Sequence, residues 1–476
     1  MDFHLSLSRR RGSLQHELYA QFRGAILQGR LRPGEQVPAS RELARRFRLA
    51  RNTVLEAYQR LMAEGFLATR SGAGTFVATL PRGPRAPVVP KDALRPRLVW
   101  RTLGGTPAPR ARLPFDFSLG APDPTLFPWD EWRRLLSREL RGRRPLAGAP
   151  PPEGEVRLRA AVAHHLGVSR GVRATAEDVL ICAGAQQAFD LIARVLVEPG
   201  ECVAVEDPGY APAREAFRAH GARVVPVPVD AEGLEVGRLP SDARLVYVTP
   251  SHQLPLGMAM SLTRRLALLA WSRRHRAAIV EDDYDSEFRY DGRPLDPLQS
   301  LDPEGLVLYV GTFSKVLLPT LRVGYVVAPP SLMPSLKAAR RLADLHGPVE
   351  TQRALAEFLE SGLFARHVRR LQREYQARHA RLVAAIDREL GGHLERLPGA
   401  AGLHLSAYGR DAGLDVEGWA LTARKSGVGI ETLGSYQQLG NRAGLAFGYG
   451  LIRAERIDEG VARLAACRPH RRVRKA

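Results

Sequence analysis

The apolar positions of the first eighty residues fall on a helical period. Leu14, Leu18, Phe22 and Ile26 recur every four residues and mark one buried helix face. Gly29 and the pair Pro33-Gly34 stop that helix. Ser40 is expected to cap a second helix, with Leu43 and Phe47 on its inner face. After a short joint at 48–50, a third helix is predicted over 51–64. Val54, Tyr58 and Leu61 form its buried stripe and Gly65 ends it. Two short strands, 66–69 and 75–78, then flank Ser71-Gly72-Ala73-Gly74.

Beyond about residue 115 the period changes. Apolar runs at 178–182, 202–206, 222–227, 245–249, 277–282, 306–311 and 322–328 read as strands. Helical stretches separate several of them, one in AGAQQAFDLIARVL and another at 262–274. Strands that are apolar throughout and separated by helices predict an α/β domain around a buried, mostly parallel sheet. Ligands of such sheets sit at the carboxyl ends of the strands. Between the two patterned regions, residues 81–114 hold eight prolines and follow neither period. They are expected to form a semi-extended linker, because proline fixes φ.

The predicted division is therefore a head at 1–80, a linker at 81–114, a body at 115–466 and a tail at 467–476. The length of 476 residues agrees, since domains run to roughly 100–200 residues each. Charge sharpens the picture. The head carries 13 Arg and 6 acidic residues, the linker 8 basic and 1 acidic, and the tail 5 basic and none acidic. The other 352 residues are nearly neutral, so the formal +20 is concentrated outside the body. Three helices and a glycine-tipped hairpin are the layout of a winged helix-turn-helix, and with this charge the expected partner is double-stranded DNA.

Composition excludes other classes. Hydrophobic residues at 45% and charged residues at 25% rule out wholesale disorder. No apolar run approaches the 18 or so residues of a membrane span. The N-terminal segment turns charged too early for a signal peptide. Cys182, Cys202 and Cys467 form no CxxC pair, so neither a disulfide framework nor a zinc site is expected, and a cytoplasmic location is.

In a winged helix-turn-helix the third helix enters the major groove by its N-terminal end, here Arg51, Asn52 and Thr53. Arginine pairs bidentately with guanine and asparagine with adenine, each worth about 1–3 kcal/mol of discrimination. Ser40 and Arg41 open the second helix and suit a phosphate. Arg70 and the wing tip at Gly72 can approach the backbone or minor groove.

The body holds a second set of candidates at its strand ends. Lys315, one of only five lysines, follows the strand 306–311, where a lysine can form a Schiff base. Asp282 ends another strand, and a buried aspartate there needs a cationic partner such as a pyridinium nitrogen. Tyr284 could donate to a phenolic oxygen, and Tyr210 could stack on a ring. Ala185 and Gln186 open a helix after a strand, a natural phosphate site, with Arg322 and Thr312 able to contribute a guanidinium and a hydroxyl. A solvated acidic turn is the alternative for Asp283 and Asp285, and fits Asp282 less well.

Two resemblances join these observations. The stretch GRLRPGEQVPASRELARRFRLARNTVLEAYQRLMAEGFLATRSGAGTFV resembles the GntR family of regulators. FSLGAPDPTLFP, CAGAQQAFDLI, EDPGY, TPSHQLPLG, EDDYDSEFRYDGRP and GTFSKVLLPTLRVGYVVAP are similar to landmarks of fold-type-I aminotransferases, and the fusion resembles the MocR subfamily. The resemblance implies pyridoxal 5'-phosphate (PLP) as cofactor. Lys315 would be its Schiff-base lysine, Asp282 the partner of its ring nitrogen, and Tyr284 a neighbour of its phenolic oxygen. It implies Tyr210 as the stacking ring, Arg322 on the phosphate, and His252 and Gln253 in the pocket. It also implies a small C-terminal subdomain at about 350–466 and a head-to-tail homodimer.

Three positions depart from the family pattern. Leu254-Pro255-Leu256-Gly257 stands where aminotransferases commonly carry Asn-Pro-x-Gly. No tyrosine occurs in LAGAPPPEGEVRLR, and Ala446 replaces an arginine that grips substrate carboxylates. Arg442 and Arg453 flank Ala446 and could serve instead. The expected function is a PLP-dependent transcriptional regulator that senses PLP or an amine or amino acid, with PLP favoured. The alternative is a working aminotransferase with an accessory DNA-binding head.

Overall fold

In the head, α1 (Leu14–Leu27) buries Leu18, Phe22 and Ile26. A short strand, β1 (Gln36–Val37), leads to α2 (Ser40–Phe47) and α3 (Arg51–Ala63). The hairpin β2 (Leu67–Arg70) and β3 (Gly74–Val77) completes a three-stranded antiparallel sheet in the order β1-β3-β2. Leu43, Val54, Ala57, Tyr58, Leu61, Leu67 and Val77 close over the first helix in one core. Removing a ring such as that of Phe22 from this core costs about 3–5 kcal/mol.

The head departs from the sequence expectation at two points. Ala39, not Ser40, occupies the cap position of α2, and it offers no side-chain acceptor. Tyr58 holds the Pro38 carbonyl at 3.0 Å, and the amide of Leu43 already bonds the Ala39 carbonyl, so helical geometry begins at Ser40. Strand β1 was not expected, because a two-residue strand carries no periodicity.

The computed structural model describes residues 14–79, 94–103, 113–141, 148–290, 295–399, 401–411, 413–440 and 442–468. It divides into two units, Met1–Arg95 and Pro96–Ala476. Much of the expected linker and nearly all of the basic tail lie outside the described residues. Within the linker the structure places a short helix, α4 (Leu98–Thr102), where no helical period was read. Five residues are too few to display a period.

The second unit opens with β4 (Phe115–Asp116), α5 (Trp129–Arg141) and α6 (Val156–Arg170). Strands and helices then alternate: β5 (Val179–Cys182), α7 (Ala185–Leu196), β6 (Cys202–Asp207), α8 (Ala211–Ala219), β7 (Arg223–Asp230), β8 (Gly233–Leu234), β9 (Ala243–Val248), α9 (Leu262–His275) and β10 (Ala278–Asp283). A short α10 (Leu298–Leu301) precedes β11 (Val307–Thr312) and β12 (Gly324–Val327). The sheet order is β5-β12-β11-β10-β9-β6-β7-β8. The five strands from β11 to β7 are parallel, while β12 runs antiparallel to both its neighbours. Val280 packs with Leu308, Val310 and Phe189, and its neighbour Ile279 with Val248 and Leu268, as pleated strands buried on both faces require.

Helices α11 (Met333–Asp344) and α12 (Val349–Glu360) lead into α13 (Leu363–Glu389). At 1.5 Å per residue the 27 residues of α13 span about 40 Å. Its buried positions Phe364, Leu371, Tyr375, Leu382 and Ile386 line one face. There follow β13 (Leu394–Arg396), β14 (His404–Gly409), α14 (Val416–Lys425), β15 (Val428–Gly429), β16 (Glu431–Thr432), β17 (Gly444–Gly448) and α15 (Ala454–Ala466). The second, antiparallel sheet has the order β13-β14-β17-β16, and β15 pairs in parallel with β4. Among the described residues no helix is long and apolar enough to cross a membrane.

Candidate functional site

The head presents basic side chains around the start of α3. Arg41, Arg45, Arg46, Arg51 and Asn52 are exposed, while Thr53 is half-buried. Arg48 turns the chain between the two helices at φ +50°. Arg70 lies over the Phe76 ring at 4.7 Å, so its charge is held at the base of the wing. The wing tip at Gly72 has φ +75°. Gln36 on β1 donates to the Ala73 carbonyl at 2.8 Å and braces the tip. Sequence reasoning missed Gln36, which had no motif to mark it.

In the second unit a cavity of about 320 Å³ opens at the carboxyl ends of the strands, where an α/β sheet takes its ligands. Ala185 and Gln186 line it from the start of α7, Tyr210 from the start of α8, and Asp282 from the end of β10. Thr312, Lys315 and Arg322 line it from β11 and the segment that follows.

Lys315 is half-buried, with its amine turned inward to donate to the Gly120 carbonyl at 2.5 Å. Gly120 sits at φ +80°, and a Cβ there would lie 2.9 Å from the amine, so a side chain at 120 would crowd it. Desolvation holds the amine below the usual lysine range, against the pull of Asp285 and Asp282. A neutral amine is the nucleophilic form.

Asp282 is buried, and its carboxyl accepts from the Tyr247 hydroxyl at 2.6 Å. Its other oxygen, Oδ1, is buried with no partner. Burial pushes the carboxyl up to about 7, and Asp283 and Asp285 add to the rise against the Tyr247 hydrogen bond and Lys315. A buried acceptor left unpaired costs about 1–3 kcal/mol, so the site is built for a donor, and preferably a cationic one.

At the opposite end Arg322, at φ +51°, donates to the Ala183 carbonyl immediately before α7. Its guanidinium therefore stands beside the N–H groups that open the helix. Thr312 accepts from the Ser314 amide at 3.1 Å and donates to its hydroxyl at 2.9 Å. Burial raises the Tyr210 hydroxyl to about 12, which keeps it neutral.

Other expectations are corrected. His252 and Gln253 are buried but do not line the cavity. Gln253 Nε2 donates to the carbonyls of Pro208, at 2.7 Å, and Leu254, at 2.8 Å, and so braces two loops. His252 Nδ1 faces the Asp285 carboxylate at 3.1 Å. The Tyr284 hydroxyl donates to the His252 carbonyl at 2.9 Å, although the residue lines the cavity. Asp283 and Asp285 are not a solvated turn, because both are buried. Asp283 pairs with Arg170 at 3.0 Å, and Asp285 lines the cavity. Arg442 and Arg453 are exposed and do not line it.

The cavity also has residues that sequence reasoning passed over. His404 and Tyr436 reach it from the second sheet and the turn after β16. No local motif marks them, since they come from more than 80 residues along the chain. Gly120 lay inside a quoted landmark, but nothing in that segment alone singled it out.

Comparison with known proteins agrees with both halves. Residues 14–77 match the family described as bacterial regulatory proteins, gntR family, and residues 116–412 match aminotransferase class I and II. The probable rhizopine catabolism regulatory protein MocR of Rhizobium meliloti is 39% identical over 94% of this chain and 92% of its own. This chain belongs to the MocR-type branch of the GntR family. It is a DNA-binding transcriptional regulator with an aminotransferase-like domain. The pyridoxine biosynthesis regulator PdxR of Corynebacterium glutamicum is 34% identical over 92% of each chain. Among solved structures, the α-aminoadipate aminotransferase LysN of Thermus thermophilus superposes with a TM-score of 0.68 at 33% identity, covering 74% of this regulator and 91% of that enzyme. LysN was crystallised with N-(5'-phosphopyridoxyl)-L-leucine.

Proposed function

We propose that this MocR-type regulator binds PLP in the cavity at Lys315 and uses its occupancy, by PLP itself or by an amine or amino acid, to set DNA binding by the head. The observation that carries the reading is the unpartnered Oδ1 of Asp282, in the same cavity as the inward-facing amine of Lys315. The residues fit the cofactor at each of its ends. Asp282 would hold the ring nitrogen and keep its proton in place. Lys315 would bond the aldehyde carbon, and its lowered proton affinity keeps the amine reactive. Arg322 and the N–H groups of Ala185 and Gln186 would hold the phosphate. Tyr210 would cover one ring face and exclude water. Bound PLP supplies an electron-withdrawing ring and a carbon open to amines.

The aminotransferase class I and II family match and the phosphopyridoxyl ligand of LysN support the same cofactor. A homodimer in which each head rests on the partner's body is part of this reading. The test is DNA binding by the full chain, on duplex fragments selected from random sequence, with and without PLP. Affinity or footprint should change with PLP, and a footprint indifferent to PLP at every concentration would reject the reading.

A further inference from the structure

If PLP occupies the cavity as proposed above, Asp282 must meet the ring nitrogen with one particular oxygen and as a charged group. The strand that carries it secures neither condition. The terminal torsion of an aspartate is broad, so its two oxygens are not fixed by the backbone. Burial favours the neutral carboxyl. The group that answers both demands lies behind the cavity wall, on the neighbouring strand β9.

Tyr247 of β9 stands opposite Val280 in the parallel pairing of β9 with β10. Asp282 is two residues beyond Val280, so its side chain leaves the sheet on the same face. The Tyr247 hydroxyl reaches Asp282 Oδ2 at 2.6 Å. The phenol itself is buried and lies outside the cavity lining. Phe189 of α7 meets its ring edge-on, with 5.4 Å between ring centres, and Phe217 of α8 flanks it at 6.3 Å. Both neighbours are hydrocarbon rings, so they fix where the hydroxyl sits without competing for its proton. Burial and the Asp282 charge hold that hydroxyl well above the usual tyrosine range, so it keeps its proton and donates.

The bond has two effects on Asp282. It occupies Oδ2 and leaves Oδ1 as the buried oxygen without a partner. It also works against burial. Of the groups that favour the charged carboxyl, the Tyr247 hydroxyl is the strongest, ahead of Lys315. Without the phenol the carboxyl would be free to turn and would take up a proton more readily. A protonated carboxyl offers a pyridinium no charge and has an O–H of its own to place.

We propose that Tyr247 is a positioning residue for the cofactor, acting through Asp282: it anchors Oδ2, so that Oδ1 is presented to the ring nitrogen as a carboxylate oxygen. Tyr247 does not touch PLP. Its influence is confined to the ring nitrogen and leaves the contacts of Lys315, Arg322 and the α7 amides in place.

Calorimetry on the full chain, stripped of cofactor, tests this with two ligands. One is PLP, and the other is its carbocyclic analogue, in which C–H replaces the ring nitrogen. They share the aldehyde, the phenolic oxygen and the phosphate, so the ratio of their affinities isolates the Asp282 contact. The wild-type chain should prefer PLP, and Asp282→Ala should bring the ratio close to one. Tyr247→Phe keeps the ring beside Phe189 and Phe217 and removes only the hydroxyl. It should weaken PLP about tenfold, the scale of a hydrogen bond to a charged group, and leave the analogue nearly unchanged. Phe189→Leu keeps the hydroxyl but loosens the ring, and should lower the PLP preference several-fold. An undiminished preference in Tyr247→Phe, or in Phe189→Leu should the first variant not fold, would overturn the inference. Equal loss of both ligands by a folded Tyr247→Phe chain would overturn it too, since the hydroxyl would then only support the fold. If the wild-type chain does not distinguish the two ligands, the role of Asp282 in the proposed function fails first. A wild-type preference that survives in the variant overturns this inference alone.

Discussion

Asp282 and Asp283 are consecutive on β10 and face opposite sides of the sheet, into opposite electrostatic surroundings. Asp283 meets Arg170 at 3.0 Å and accepts from Tyr309, and these partners outweigh its burial and hold it below the usual carboxylate range. Asp282 has the Tyr247 hydroxyl and an oxygen with no partner, and burial pushes it up to about 7. One aspartate is neutralised within the fold, and its neighbour is left for a ligand to neutralise.

Different consequences follow for the two positions. In the PLP-free chain the raised pKa of Asp282 means that the folded state holds a proton which the unfolded state, with its carboxyl near about 3.9, has released. Stability contributed by that proton is lost progressively as pH rises from about 3.9 to about 7. Asp282→Asn removes the penalty, so it should raise Tm relative to wild type fully at pH 8 and clearly less at pH 5, early in that window. The same variant should retain less PLP. Asp283→Ala strands the buried Arg170 and should cost about 3–5 kcal/mol at either pH. Thermal melts of the PLP-free proteins at the two pH values read both effects. A pH-independent Asp282→Asn difference would refute the assignment.

The amine of Lys315 carries a second prediction. Borohydride treatment of the PLP-loaded chain should fix the cofactor to the peptide that contains Lys315, as peptide mass spectrometry can read. Lys315→Ala should abolish that adduct, while Arg322 and the α7 amides leave reversible PLP binding. An adduct of equal yield in the variant would place the reactive amine elsewhere.

The head supplies the third prediction. Arg51 is exposed at the start of α3, while Arg70 is held over Phe76 at the wing. Arg51→Ala should therefore relax sequence preference, losing about 1–3 kcal/mol on the preferred duplex and little on others. Arg70→Ala should weaken binding to every sequence and reduce the salt slope by about one. Salt titrations on a preferred and a scrambled duplex separate the two. Identical behaviour of both variants would make Arg51 a phosphate contact.

Much of this organisation was legible in the sequence, for reasons that differ by element. The strand ends read at Asp282 and Gly311 fall one residue short of those in the structure, Asp283 and Thr312, and were readable because buried parallel strands are continuous apolar runs. Arg51 and Asn52 were readable because a helical stripe at Val54, Tyr58 and Leu61 fixes which residues lead the helix. The depth of Asp283 and Asp285 was not, because it depends on Arg170, Tyr309 and Leu403, all remote in sequence. His404 and Tyr436 were hidden for the same reason. Short elements such as β1 and α4 have too few residues for any period, so only tertiary contacts define them.

The last prediction concerns turnover, and the packing around Ala446 decides it. Transamination needs the α-carbon of an amino acid held with its C–H bond in line for Lys315, and a charge-assisted grip on the carboxylate supplies that hold. The structure puts a buried methyl at 446, Glu431 opposite it, and Arg442 out on Tyr408. Arg453 sits at the cap position before α15 and is exposed, so neither arginine that flanks Ala446 lines the cavity. Positioning accounts for about 7–11 kcal/mol of a barrier in well-oriented reactions, and little of it is available to an ungripped amino acid. Multiple-turnover transamination of common amino acids should therefore be negligible in steady-state assays with a panel of amino acids and 2-oxo acids. Sustained turnover near about 1 s⁻¹, the ordinary enzyme range, would make this protein a working aminotransferase and its DNA-binding head an accessory.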